Sequence, residues 1–134
     1  MKKITLPWLA FAALFFLMSC MTEDQPIVGS DNVVVMSTAK FTLDERSVSG
    51  NTFVAKGTVS NNGATKYSPT WYVEGEFYQD STFKFKLGGT NQSYSFDLSK
   101  GETTGWQLSF TPSNIDVSKY PNFAVKNLRA YRAK

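Results

Sequence analysis

The chain has 134 residues, a formal charge of +3 and an aromatic share of 15%, a length that allows one domain with one core. It has no histidine and one cysteine, Cys20. An intrachain disulfide and a cysteine-built zinc site are therefore excluded, and the commonest metal ligand and general base is absent. Basic and acidic residues are interleaved, which argues against a nucleic-acid partner. We expect no metal, no cofactor and no catalytic centre.

Residues 1–19 have the organisation of a bacterial export signal. Lys2 and Lys3 precede an apolar stretch of about a dozen residues, which suits a signal peptide and is short for a membrane span. The stretch ends in LMSC at 17–20, which resembles the lipobox of bacterial lipoproteins. That resemblance implies removal of residues 1–19 and attachment of palmitate-type acyl chains to Cys20. The alternative is an ordinary signal peptide or signal anchor with an incidental cysteine.

The residues after Cys20 have the composition of a tether. Glu23 and Asp24 lie close to the cysteine, which resembles the surface-export signal of Bacteroidetes lipoproteins and implies the outer membrane, with the cell surface as a finer expectation. The alternative is a solvated charge pair. Residues 20–32 also contain Pro26 and Gly29 with little periodicity, which predicts a flexible tether before a folded domain at 33–134.

From residue 33 onward, apolar and polar residues alternate with a period of two, as in half-buried strands. We count about seven runs, at 33–43 with a break near Ser37, 52–60, 70–78, 82–87, 94–98, 106–110 and 122–132 with a bulge near Asn127. Short strands at this spacing predict an immunoglobulin-like β-sandwich of about seven antiparallel strands.

The phase of each run predicts which side chains form the core. Trp71 and Trp106 are expected inside on facing strands. In the run at 82–87, Phe83, Phe85 and Leu87 are expected to point inward, and the glycine pair at 88–89 is expected to make a turn before a separate strand through Tyr94, Phe96 and Leu98.

Three motifs resemble those of the FxLYD-type domain and its relatives in exported bacterial proteins. They are GTVSNNG at 57–63, EFYQD at 76–80 and LSKGET at 98–103. The resemblance covers roughly residues 40–131 and implies a β-sandwich. It implies no catalytic residue, because these glycines, asparagines and aromatics have structural roles in the family.

Glu74 and Glu76 are the best candidates for catalytic chemistry. Residues two apart on a strand lie about 7 Å from each other, close to the separation of paired glycosidase carboxylates. A small envelope hydrolase, or an inhibitor of one, would need both in a concave pocket with a raised pKa. The alternative is a solvated sheet face on which they pair with Lys84 and Lys86 across neighbouring strands.

Tyrosines outside the core phase are candidates for recognition. Tyr72 and Tyr78 share a predicted outer face with the two carboxylates, and we take these four residues as a candidate binding face. The alternative is a loop-end site around Tyr67 and Tyr120.

A modification site is also predicted. The triplet Asp80-Ser81-Thr82 resembles the O-glycosylation site of exported Bacteroidetes proteins, which implies Ser81 as the acceptor at an exposed turn.

These observations together predict a lipid-anchored, non-enzymatic binding or structural module of the cell envelope. Its membrane partner is the bilayer that holds the N-terminal lipid, and its other partner is an envelope protein or a glycan. We expect it to belong to a larger surface assembly.

Overall fold

The computed structural model describes residues 32–134, and this part of the chain is all-β. The predicted signal peptide, Cys20 and the tether up to residue 31 lie outside the described residues. Residues 32–134 form seven strands, the number that the alternation predicts: β1 (Val33–Val35), β2 (Ala39–Ser49), β3 (Thr52–Asn61), β4 (Trp71–Tyr78), β5 (Lys86–Tyr94), β6 (Thr103–Phe110) and β7 (Ala124–Ala133). One turn of 3-10 helix, Val117–Lys119, lies in the crossing before β7.

The strands form two antiparallel sheets, one of four strands in the order β1-β7-β4-β5 and one of three in the order β2-β3-β6. Their inner faces share one core. The ring centroids of Phe53 in β3 and Phe77 in β4 lie 6.1 Å apart, and Phe53 lies 4.8 Å from Phe123. Aromatic pairs at these distances stabilise the packing beyond the area they bury. The prediction of two antiparallel sheets around one core is confirmed.

The inward phase of β4 and β6 is also confirmed. Trp71 and Trp106 are both buried, and each indole N–H donates to a backbone carbonyl oxygen, as a buried tryptophan requires. Trp71 donates to Phe96 at 2.8 Å. Trp106 donates to Thr42 at 3.1 Å and to Thr58 at 3.0 Å.

Gly57 explains why Trp106 can reach those carbonyls. Gly57 pairs with Trp106 between β3 and β6. A Cβ atom at Gly57 would lie 1.8 Å from the carbonyl oxygen of Thr42 and 2.8 Å from Cζ2 of Trp106. The absence of a side chain therefore lets the indole lie across β3, which gives the first glycine of the motif at 57–63 a steric role.

Asn61 holds the loops at one end of the domain together. Its side chain is fully buried, and its Nδ2 donates to the carbonyls of Thr65 and Leu98, both at 2.9 Å. Its Oδ1 accepts from the backbone N–H of Gly63 at 2.9 Å, and its backbone carbonyl accepts from Gly101 at 2.7 Å. The motifs at 57–63 and 98–103 therefore meet at this asparagine.

The prediction for 82–98 is wrong in its strand boundaries. A single strand, β5, begins at Lys86 and runs through both Gly88 and Gly89. The inward phase expected at 83–87 is confirmed only for Leu87, which packs against the core. Phe83 and Phe85 lie in the loop before β5 and are exposed, Phe85 by 66%. Gly88 lies against Phe110, since a Cβ atom at this position would lie 2.3 Å from the Cζ of that ring. Gly88, with φ of +148°, makes room for this ring and continues the pairing with β4 rather than turning the chain.

Two further boundaries differ from the prediction, and one feature agrees. Phe96 is exposed because β5 ends at Tyr94 and the chain leaves the sheet there. β2 continues to Ser49, beyond the predicted end at residue 43. The bulge predicted near Asn127 is confirmed, since Asn127 has φ of +56° and the pairing of β4 with β7 shifts register beside it.

The domain has two ends, which carry different loops. The near end is where Asn32 leads into β1, and it includes the loops at 62–70 and 95–102. The far end includes the loops at 50–51, 79–85 and 111–123. The ends lie roughly 25 Å apart, because β4 spans the sheet with eight residues at about 3.3 Å each.

Candidate functional site

The predicted binding face lies on the outer side of β4. Tyr72, Glu74, Glu76 and Tyr78 share that side, as their phase predicts, opposite the buried Trp71 and its inward neighbours. Their expected exposure is wrong. Glu74, Glu76 and Tyr78 are 4%, 9% and 6% exposed, and Tyr72 is half-buried. β4 lies between β7 and β5, so long side chains from both neighbours reach over it.

Each carboxylate on this face has a cation beside it. Arg129 of β7 pairs with Glu74, in place of a lysine from the following strand. Lys86 Nζ lies 3.2 Å from Oε1 of Glu76, which confirms one of the two predicted lysine pairs. Buried carboxylates require such partners, because an isolated charge is costly to remove from water.

Glu76 accepts two more hydrogen bonds. The Tyr78 hydroxyl donates to its Oε2 at 2.7 Å, and so does Nδ2 of Asn127. Burial acts to raise the pKa of Glu76, but the hydrogen bonds from Tyr78 and Asn127 and the nearby Lys86 outweigh it, so the pKa lies below its ordinary value. This carboxyl is held ionised, whereas a general acid needs a raised pKa. The hydrolase hypothesis therefore gains no support from Glu76.

Aromatic pairs border the carboxylates along the strands. Tyr72 stacks on Tyr131 of β7, with ring centroids 5.2 Å apart, and the Arg129 guanidinium lies 5.3 Å from the Tyr131 ring. Near the far end, the ring of Phe83 lies edge-on to Tyr78 at 5.4 Å. The loop at 79–85 therefore covers Tyr78, and the face that the sequence predicted as an open surface is largely a structural network.

The two tyrosines of the alternative loop-end site do not come together. Tyr67 is buried in the core at the near end, where its hydroxyl lies 2.9 Å from Oγ1 of Thr38. Tyr120 is half-buried at the far end. They therefore belong to opposite ends, and only Tyr120 lines a cleft at the far end.

Ser81 lies in an exposed turn of the far-end loop at 79–85, as predicted. Oδ1 of Asp80 accepts from the backbone N–H of Thr82 at 2.9 Å and from its hydroxyl at 2.5 Å. These bonds fix the turn and leave Ser81 at its tip. Modification of Ser81 stays a prediction.

The far end also carries a groove that the sequence did not predict. One cleft, of about 580 Å³, is lined by Arg46, Asp80, Ser81, Thr82, Pro121, Asn122 and Phe123. A second, of about 190 Å³, shares three of these residues and adds Gln79, Lys119 and Tyr120. We call the two together the far-end groove. Its walls come from three segments far apart in the chain, so no local pattern could have revealed it.

Another cleft, of about 480 Å³, lies at the near end. Val34, Val35 and Met36 line one side of it, and Tyr67 and Arg132 contribute elsewhere. Glu74 and Glu76 line neither this cleft nor the far-end groove. The concave setting that the hydrolase hypothesis requires is therefore not provided by any of these clefts.

No family model, curated protein or solved structure matches this chain. Among residues 32–134 there is no helix with the length and apolarity needed to cross a membrane. Over the same described range, no three His, Cys, Asp or Glu side chains are grouped so that they could hold a metal ion.

Proposed function

We propose that this chain is a lipid-anchored, non-enzymatic binding or structural module of the bacterial envelope, held to the outer membrane through Cys20. The observation that carries the proposal is the position of Cys20. It is the only cysteine in the chain and follows directly on an apolar stretch and a small residue. Two or more acyl chains on such a cysteine anchor a protein stably, whereas one gives marginal binding at about 0.8 kcal/mol per buried methylene.

The domain supports a binding role by its arrangement. The described chain begins at Asn32, at the near end, while the far-end groove lies at the other end of the strands. A tether attached at Asn32 therefore leaves the far end free to meet a partner. The same arrangement suits a module that presents its loops to a larger surface assembly.

The carboxylates of β4 support a role without catalysis. Glu74 is paired with Arg129, and Glu76 holds Lys86, Tyr78 and Asn127. Through these contacts both carboxylates link β4 to its neighbouring strands, which is a structural role. The hydrolase alternative would require one of them to exchange its partners for a substrate.

We further infer that the two sheets form an immunoglobulin-like sandwich related to the FxLYD-type domains. The order β2-β3-β6 follows strands A-B-E of that fold, and β7-β4-β5 follows F-C-C′. β1 occupies the place of strand G beside β7. A crystal structure with a different order of strands β2 to β7 would refute this inference.

Metabolic labelling with an alkynyl fatty acid tests the anchor. We expect the wild-type chain to be labelled and to sediment with membranes, and Cys20→Ser to lose the label because acylation needs the thiol. A matched control is Cys20→Ser combined with Ser30→Cys, which restores a thiol ten residues downstream and should also stay unlabelled. Equal labelling of wild type and Cys20→Ser would refute the lipid anchor.

A further inference from the structure

The far-end groove has a size and a floor suited to a small polar ligand. Its larger cleft, of about 580 Å³, falls within the range of roughly 300–1,000 Å³ that ligand sites occupy. Its floor is fixed to the core, since Phe123 is buried against Phe53 and Val117 is fully buried just upstream. Nη1 of Arg46 donates to the carbonyl oxygen of Phe123 at 2.8 Å, which holds the guanidinium against this floor.

The side chains along the groove require a ligand with two kinds of polar group. Arg46 and Lys119 can only donate hydrogen bonds, so they call for an anionic acceptor. Asp80, held ionised because hydrogen bonds from Thr82 lower its pKa, can only accept, so it calls for a hydroxyl or amide donor. A small inorganic anion would meet the carboxylate of Asp80 and be repelled.

The remaining lining residues are of the types that sugars contact. The amides of Gln79 and Asn122 both donate and accept, as pairs of sugar hydroxyls require. The ring of Tyr120 is half-buried beside them and offers an apolar surface with a polar edge. Sugar hydroxyls would donate hydrogen bonds to the Asp80 carboxylate. A sugar carboxylate would accept two parallel hydrogen bonds from the Arg46 guanidinium.

We propose that the far-end groove binds an acidic oligosaccharide, one that carries uronic-acid carboxylates among its hydroxyls. The carboxylate lies on Arg46, a neighbouring sugar lies against Tyr120, and Asn122 and Asp80 bind hydroxyls between them. This deepens the proposed function by naming the class of partner, and it rests on that function for its place in the envelope. The binding itself requires neither the lipid nor the membrane.

Isothermal titration of the full chain in detergent with trigalacturonate and with a hyaluronan tetrasaccharide tests this proposal. We expect at least one of them to bind, and its methyl ester, which lacks the charge, to bind at least tenfold more weakly. Arg46→Gln and Asn122→Ala should each weaken binding about tenfold, which corresponds to about 1.4 kcal/mol. Arg46→Lys should retain part of the affinity.

The control variant is Lys56→Gln, which removes an exposed cation of β3 that does not line the groove, and should bind like wild type. Circular dichroism establishes that each variant is folded, and Asn122→Ala keeps the test valid if Arg46→Gln does not fold. Failure of both probes to bind, equal binding of the ester, or binding unaffected by Asn122→Ala overturns the proposal. The labelling of Cys20 is independent of oligosaccharide binding, so a failure of the lipid anchor can be distinguished from a failure of the groove to bind its ligand.

Discussion

The indole ring of Trp106 lies across Gly57, and its N–H donates to the carbonyl oxygens of the residues at positions 42 and 58 on two successive strands. The ring fills the space that a side chain at position 57 would occupy. One aromatic residue of β6 therefore ties together all three strands of its sheet.

This relationship predicts a large effect of Gly57→Ala. The added methyl group would overlap the Thr42 carbonyl and the Trp106 ring, so the backbone or the indole must move. Overpacking of this kind costs typically 1–3 kcal/mol, and we expect about 3 kcal/mol or more here because the obstacle is partly backbone. Urea unfolding followed by tryptophan fluorescence measures the loss.

The matched control is Gly105→Ala, one residue from Trp106. A Cβ atom there meets nothing closer than the Gly57 carbonyl oxygen at 3.8 Å, so we expect a change within about 0.5 kcal/mol. Equal losses in the two variants would show that the indole does not lie across Gly57.

The core assignment predicts opposite results for Trp71, which lies in β4, and Phe85, which lies in the loop before β5. Trp71→Ala should cost about 3–5 kcal/mol, because the ring is fully buried and stacked on Tyr94 at 4.1 Å between centroids. Phe85→Ala should cost less than about 0.5 kcal/mol, since this ring is mostly exposed. Chemical denaturation measures the free energy of unfolding of both variants. A large loss of that free energy in Phe85→Ala would favour the inward position that alternation alone predicts for this ring.

Asn61→Ala should destabilise the near end. The substitution removes the hydrogen bonds of the Asn61 side chain with the carbonyls of Thr65 and Leu98 and with the N–H of Gly63. The Leu98 carbonyl still accepts from the N–H of Tyr67, but the buried N–H of Gly63 loses this partner, and a buried polar group left unsatisfied costs about 1–3 kcal/mol. Asn62→Ala is the natural control because its side chain is exposed and only its backbone N–H is bonded, to Thr38. Thermal melts should separate the two variants, and coincident melting curves would contradict a bridging role for Asn61.

The lowered pKa of Glu76 predicts a specific acid sensitivity. Because the pKa is lower in the folded chain than its ordinary value of 4.5, ionised Glu76 stabilises the fold fully above that value. The contribution is lost as the pH falls through the folded pKa. We expect Glu76→Gln to show a shallower decline of unfolding free energy between neutral pH and about pH 3 than wild type.

Glu102→Gln provides the comparison, because it removes an exposed carboxyl from the turn before β6. Asp80 and Asp116 also have lowered pKa values, from hydrogen bonds with Thr82 and Ser118, so every variant keeps some decline. A slope for Glu76→Gln as steep as that of wild type would show that Glu76 does not hold its partners in solution.

The sequence predicted those parts of the fold that alternation along one strand determines. Trp71 and Phe77 lie inside because they share the phase of a strand that is paired on both sides. The KFKL segment at 84–87 has an equally regular alternation, yet Phe85 points into solvent. A short pattern gives the relative phase of neighbouring side chains, but it does not show that the strand begins only at Lys86, one residue after Phe85.

The candidate site was less accessible to sequence analysis. That Glu74 and Glu76 share a face follows from their spacing, but their burial depends on Arg129 and Asn127, more than fifty residues away. The far-end groove depends on two loops and on β2. Of its lining, the sequence predicted the exposed turn at Ser81, from local turn chemistry, and the loop-end position of Tyr120.

The pairing of β1 with β7 has a mechanical consequence. Its three residue pairs join Val33 to Ala133 and the two following residues to their partners, and Lys134 donates to the Asn32 carbonyl at 3.1 Å. Tension between residue 32 and a load at the far end acts along the strand axis, so these pairs are sheared together instead of being unzipped one at a time. Val33, the buried first residue of β1, is therefore the point at which a pull on the N-terminal segment is resisted.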